Sequence, residues 1–147
     1  MIVMGIFNAI DAAASGMSAE RLRMDVISNN IANANSSRTA EGGPYRRQMV
    51  VFEPRANASS FAQIMAQQQS AGDGVRVTGI LKDQSAPRLV YDPSHPDANK
   101  QGYREMPNIN IISEMVDMMT ATRAYEANVT AVNAAKNMAL KALEIGQ

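Results

Sequence analysis

The sequence has no cysteine, no tryptophan, a single histidine and no surplus charge of either sign. Without cysteine there is no disulfide, no thiolate metal site and no thiol nucleophile. With only His95, a zinc site built on imidazoles would need three ligands of other kinds. Lys plus Arg and Asp plus Glu number 14 each. That balance argues against nucleic-acid binding through bulk positive charge and against electrostatic attachment to anionic membranes. It also leaves little self-repulsion to keep copies apart. No apolar run approaches the roughly 18 residues of a spanning helix, so membrane insertion is not expected. The apolar start MIVMGIF has no basic residue before Arg21, so a cleaved secretory signal is not expected.

What is present is helix-forming material. Of 147 residues, 46% are hydrophobic but only 5% aromatic, and the apolar content rests on 23 Ala and 11 Met. Both favour helix, yet Ala buries little area per position. Such a chain suits helix-to-helix assembly better than one large core.

Residues 1–35 read as one long helix. Ile6, Ile10, Ala13, Met17, Glu20, Met24, Ile27, Ile31 and Ala34 alternate steps of four and three, a heptad seam. No proline occurs before Pro44. About 30 helical residues would span ~45 Å, long for a globular helix and normal for a coiled coil. Residues 108–147 carry a second seam: Ile111, Met115, Met118, Thr122, Tyr125, Val129, Val132, Lys136, Ala139 and Leu143. Ile112, Val116 and Met119 run parallel to it. Pro107 and Asn108 mark its start, and Gly146 stands where a helix stop is expected.

Residues 36–107 hold all six prolines and six of the nine glycines. Tyr45–Phe52, Val75–Leu81 and Arg88–Tyr91 read as strands. Residues 54–74 are rich in Ala, Ser, Gln and Gly and read as a flexible loop or a marginal helix. Residues 92–102 are turn chemistry throughout. The expected class is α+β: two long terminal helices forming an antiparallel coiled-coil-like pair, with a small β-rich insert between them.

Candidate chemistry is sparse. Ser28, Asn29, Asn30, Asn33 and Asn35 crowd the end of the first helix. Asn is a poor helix interior residue, because its amide competes for backbone partners. Two readings stay open: a fraying helix end capped by Asn, or side-chain amides bonding to a neighbouring helix or the following turn. The turn Asp92-Pro-Ser-His95-Pro-Asp97 gathers an imidazole and two carboxylates. It lacks the calcium-loop spacing and reads as a rigid proline turn. No nucleophile motif or phosphate loop matches accepted spacings. Arg46 and Arg47 read as an ordinary solvated or interface pair. Met115, Met118 and Met119 suit an adaptable binding surface as well as a seam core. No catalytic, cofactor or metal residue is assigned.

The run from Gly16 to Ser36 resembles the N-terminal signature of bacterial flagellar axial proteins, carried here by Gly16, Val26, Ile27, Ser28, Asn30, Ile31, Ala32 and Asn33. The insert narrows the resemblance to the proximal-rod members. It does so through Gly42-Gly-Pro-Tyr-Arg-Arg-Gln48, Gly74-Val-Arg-Val-Thr-Gly79, Val90–Asn99, Gly102-Tyr103 and Met106-Pro-Asn108. Glu114-Met-Val through Ala121–Asn128 is similar as well. The resemblance implies a structural subunit of the basal-body rod that polymerises in the periplasmic space. It implies export by the flagellar type III apparatus without signal cleavage, and terminal helices that form the inner tube with the insert facing outward. The implied partners are copies of the chain, other rod proteins, the export apparatus and the rod-cap protein. The residues expected to carry assembly are Ile10, Met17, Met24, Ile27, Asn29, Asn30, Ile31, Asn33, Met115, Met118, Tyr125, Asn128, Val132 and Leu143. Asn30, Asn33 and Asn128 are expected to set register. Two rivals are a soluble coiled-coil adaptor, which would be a discrete stable dimer, and a metal enzyme using the His95 turn.

Overall fold

The computed structural model describes the backbone over residues 2–55 and 74–145 and side chains over 7–55 and 74–144, and among these described residues it has two helices and four short strands. Helix α1 is Ile2–Ala32 and helix α2 is Ile111–Ile145. Between them lie β1 (Gln48–Pro54), β2 (Val75–Lys82), β3 (Arg88–Tyr91) and β4 (Tyr103–Met106). Strands β1 and β2 form one two-stranded sheet, β3 and β4 another. This is the α+β class that the sequence pattern predicts, with β4 added to the expected strands. The expectation for residues 54–74 lies almost wholly outside the described residues.

The helix ends have local causes. At the end of α1, the Asn33 backbone N–H and its side-chain amide both donate to the Asn29 carbonyl, at 3.0 Å each. Asn33 Oδ1 then accepts from the Ser36 hydroxyl at 3.1 Å, which turns the chain out of the helix. At the start of α2, Asn110 Oδ1 accepts from the Ile112 backbone N–H at 3.0 Å, the action of an N-cap. The cap is therefore Asn110 rather than the Pro107-Asn108 pair that the sequence suggests.

The chain divides into two compact units. One comprises residues 1–22, 51–79 and 121–147. Within it, Gly16 of α1 meets Asn128 of α2: a Cβ on Gly16 would stand 2.9 Å from the Asn128 amide nitrogen. Buried Ser15 donates to the Ala12 carbonyl at 2.7 Å and accepts from the Val75 backbone N–H at 3.0 Å, which pins the start of β2 to α1. Gly74 makes this approach possible. Its φ is +93°, and a Cβ there would run into Ser15 and lie 3.1 Å from the Ala12 backbone. Along β2, Val75, Val77 and Gly79 are half-buried while Arg76, Thr78 and Ile80 are exposed, the period-two pattern of a strand with one covered face.

The second unit comprises residues 23–50 and 80–120. Strands β3 and β4 pair antiparallel, from Arg88 opposite Met106 to Tyr91 opposite Tyr103. Met106 and Pro107 are buried, as are Val26, Ile27 and Ala34 of the first helix and the residues that follow it. Tyr91 and Tyr103 meet edge to face with ring centres 5.2 Å apart. Asn30 of α1 bonds to Glu114 of α2 here.

Replacing Gly74 by Ala imposes a strained φ and a collision with the Ser15 side chain that holds Val75. We expect it to cost about 1–3 kcal/mol. Gly79→Ala, where φ is ordinary and nothing lies within 4 Å, should cost little. Urea midpoints of helical ellipticity at one fixed concentration separate the two; equal midpoints would contradict the pinned geometry.

Candidate functional site

The most buried polar groups of the described residues meet at one junction in the second unit. Asn30, near the end of α1, and Glu114, in the first turn of α2, are each 1% exposed. Asn30 Nδ2 donates to Glu114 Oε2 at 3.0 Å and to the Gln48 carbonyl at 2.8 Å. Its Oδ1 accepts from the Gln48 backbone N–H at 2.9 Å and from the Tyr45 hydroxyl at 3.2 Å. Two donors and two lone pairs are all that an amide side chain has, so Asn30 is fully satisfied. A β-strand-like pair of bonds to Gln48 thus comes from a helix side chain, which ties the start of β1 to α1.

Glu114 is a buried carboxylate and needs a counter-charge. Arg47 supplies it, with Nε 2.6 Å from Glu114 Oε1 and Nη2 3.4 Å from Asp117 Oδ2. Burial, and then the Glu114 charge, pushes the Tyr45 hydroxyl above its ordinary pKa, so it stays a donor toward Asn30. The junction therefore joins α1, the segment Tyr45–Gln48 and α2 through one satisfied network.

The expected assembly residues fall into distinct environments. On α1, Ile27 is buried, while Ile10, Met17, Met24 and Ile31 are half-buried. The deepest positions of that helix are Asn30, Val26, Ala19 and Ile27, followed by Ser15. On α2, the covered row is Glu114, Met118, Ala121, Tyr125, Asn128, Val132, Ala135 and Ala139. It keeps the expected column Met118, Tyr125 and Val132. Its second column lies one residue before the one read from the sequence, which leaves Met115 and Leu143 exposed. The reason is closeness: Gly16, Ala19, Ala121 and Ala135 admit a near backbone approach, and the bulkier neighbours turn outward.

Among the asparagines, both open readings hold, for different residues. Asn30 reaches the neighbouring helix, Asn33 caps its own, Asn128 packs on Gly16, and the Asn29 side chain is exposed. Sequence reasoning gives no role to Glu114, Tyr45 or Gln48, and reads Arg47 only as half of a solvated or interface pair. One signal was present: Glu114 is a lone acid amid Ile111, Ile112, Met115 and Val116. The pair Arg46-Arg47 divides as its alternation predicts, with Arg46 exposed and Arg47 half-buried, but Arg47 is a counter-ion rather than an ordinary surface charge. In the His95 turn, His95 Nδ1 accepts from the Asp97 backbone N–H at 3.2 Å. Among the described residues no group of three His, Asp or Glu side chains is placed to hold a metal ion, and no helix is long and apolar enough to cross a membrane.

Comparison with known proteins gives concordant matches at both ends of the chain. Residues 10–38 match the family described as Flagella basal body rod protein. Residues 100–145 match Flagellar basal body rod FlgEFG protein C-terminal. Over 98% of its length the chain is 50% identical to the flagellar basal-body rod protein FlgC of Borreliella burgdorferi, covering 99% of that protein. It is 47% identical to the FlgC of Bacillus subtilis and 38% identical to that of Salmonella typhimurium, each over 98% of this chain and 100% of the relative.

Asn30→Leu keeps the branched shape and removes every polar atom, which strands a backbone N–H, a backbone carbonyl, the Tyr45 hydroxyl and one oxygen of Glu114. We expect a loss of roughly 3 kcal/mol, against well under 1 kcal/mol for Asn33→Leu at the exposed helix end. Denaturant titration of the two variants checks this. Because folding raises the Tyr45 pKa, its contribution is complete below the unfolded value of about 10 and is lost as pH rises beyond it. Tyr45→Phe should blunt the fall in stability on alkaline titration.

Proposed function

We infer the function from one premise: the chain belongs to the family of flagellar basal-body rod proteins FlgC. It is accordingly a structural subunit of the flagellar basal-body rod and not an enzyme. Beyond that, we propose that the chain leaves the cytosol unfolded through the flagellar type III apparatus. It then assembles in the periplasmic space with copies of itself and other rod proteins, under the rod cap, into a tubular shaft that transmits torque.

One observation carries the assembly reading. Ile111, Ile112, Met115, Val116 and Met119 form an exposed apolar stripe along the start of α2. The two charged side chains within that segment, Glu114 and Asp117, point away from the stripe and are both held by Arg47. A continuous charge-free stripe of large side chains is a surface that association covers. The buried hydrophobic residues of the described chain, by contrast, are Ala19, Ala34, Ala121 and Ala135 with only Val26, Ile27 and Met106 as larger side chains. A subunit so built gains stability on docking, because anything that binds the folded form alone shifts the equilibrium toward it. It loses little by being unfolded for transit. Ile27, Ile31, Met118, Tyr125 and Val132 would hold the pair together, and Asn30 its register. Ile10, Met17, Met24, Asn29, Asn33, Asn128 and Leu143 would meet neighbours or frame those contacts. Repetition of one heterologous interface along a helical path yields a tube.

Circular dichroism and size-exclusion chromatography over a concentration series test this. We expect a weakly helical monomer that gains helix as it associates into open-ended polymers. Val116→Glu should leave the dilute chain unchanged and abolish association. A discrete dimer at every concentration would instead support a cytosolic adaptor.

A further inference from the structure

Four methionines of the described residues stand exposed: Met49, Met115, Met119 and Met138. Two of them form a pair. Met115 and Met119 lie one helical turn apart on the charge-free stripe of α2 and are 54% and 56% exposed. Met106, by contrast, is 4% exposed and sealed in the second unit. A thioether is oxidised where solvent reaches its sulfur, so exposure sorts these residues by susceptibility.

We propose that Met115 and Met119 are a modification site at which hydrogen peroxide controls assembly. The inference rests on the assembly reading of the stripe. In the chemical step, the sulfur donates an electron pair to one peroxide oxygen. The O–O bond breaks, an S–O bond forms, and the departing hydroxide takes the proton of the hydroxyl now on sulfur and leaves as water, so that the sulfoxide is neutral. The sulfur is oxidised by two electrons and the peroxide is reduced by two.

The consequence follows from the stripe's composition. Ile111, Ile112 and Val116 flank Met115 and none has a donor for a sulfoxide oxygen; the first charged donor along that face is Arg123, one turn beyond Met119. In the free chain that oxygen is hydrated, so the fold is untouched. In an assembled interface it would be buried without a partner, and association becomes unfavourable. Leucine at both positions keeps volume and apolar character and has no sulfur to oxidise.

The test compares the full-length native chain with the double variant Met115→Leu/Met119→Leu. Each is treated with hydrogen peroxide, mapped by peptide mass spectrometry and assayed by sedimentation across a concentration series. Treated native chain should carry sulfoxide at both positions and need about tenfold more protein to associate, or more. Both methionine sulfoxide reductases together, one for each sulfoxide epimer, should restore it. The treated double variant should associate as the untreated one does. If the native chain, oxidised at both positions, associates normally, the proposal is overturned while the assembly reading stands. If the treated double variant loses association equally, other methionines are responsible and the proposal is again overturned. If the untreated native chain does not associate at any concentration, the assembly reading itself fails and this inference falls with it.

Discussion

The hydrogen bond between Asn30 and Glu114 is the contact on which the second unit depends, because it places a charge where charge is costly. A carboxylate that is 1% exposed must be paired and hydrogen-bonded. Satisfying it recruits Asn30 across 84 residues of sequence and Arg47 across 67. Asn30 in turn holds both backbone groups of Gln48 and so positions β1. A purely apolar contact between the helices would be as stable or more so and would tolerate sliding. An amide with every donor and acceptor engaged loses those bonds when its partners shift.

A second constraint follows from side-chain size. Ala19, Ala121 and Ala135 are buried, while Phe7, Ile112, Met119 and Leu143 are exposed. This inverts the usual sorting of globular chains. Small residues inside let the helices approach closely, and large ones outside leave apolar surface uncovered. The arrangement is coherent for a rod subunit: the apolar surface that the single chain leaves open is the kind that neighbouring subunits cover.

Helix identity was legible throughout. Alternating steps of four and three over residues 6–34 and 111–143 announced α1 and α2, and the prolines and glycines of 36–107 announced the strands between them. Asn30 was legible as a candidate because asparagine is out of place inside a helix. Its partners were not. Nothing local distinguishes Tyr45 or Gln48 from other residues of a strand segment, and Arg47 reads like any surface arginine until Glu114 is beside it. Glu114 could have been found as a lone acid in an apolar run, but an acid at the start of a helix also has an innocent explanation in the helix dipole.

Sequence by itself determined the two long helices, the β-rich insert, the exclusion of cysteine chemistry and the resemblance to flagellar axial proteins. These depend on residue type and spacing along the chain. Tertiary structure alone decided which face of each helix turns inward. Apolar residues occupy adjacent heptad columns on α2, so periodicity admits more than one seam. The choice fell to how near the backbones can come at Gly16, Ala121 and Ala135. It also decided which ionic groups are buried together, since that depends on segments brought into contact only by folding.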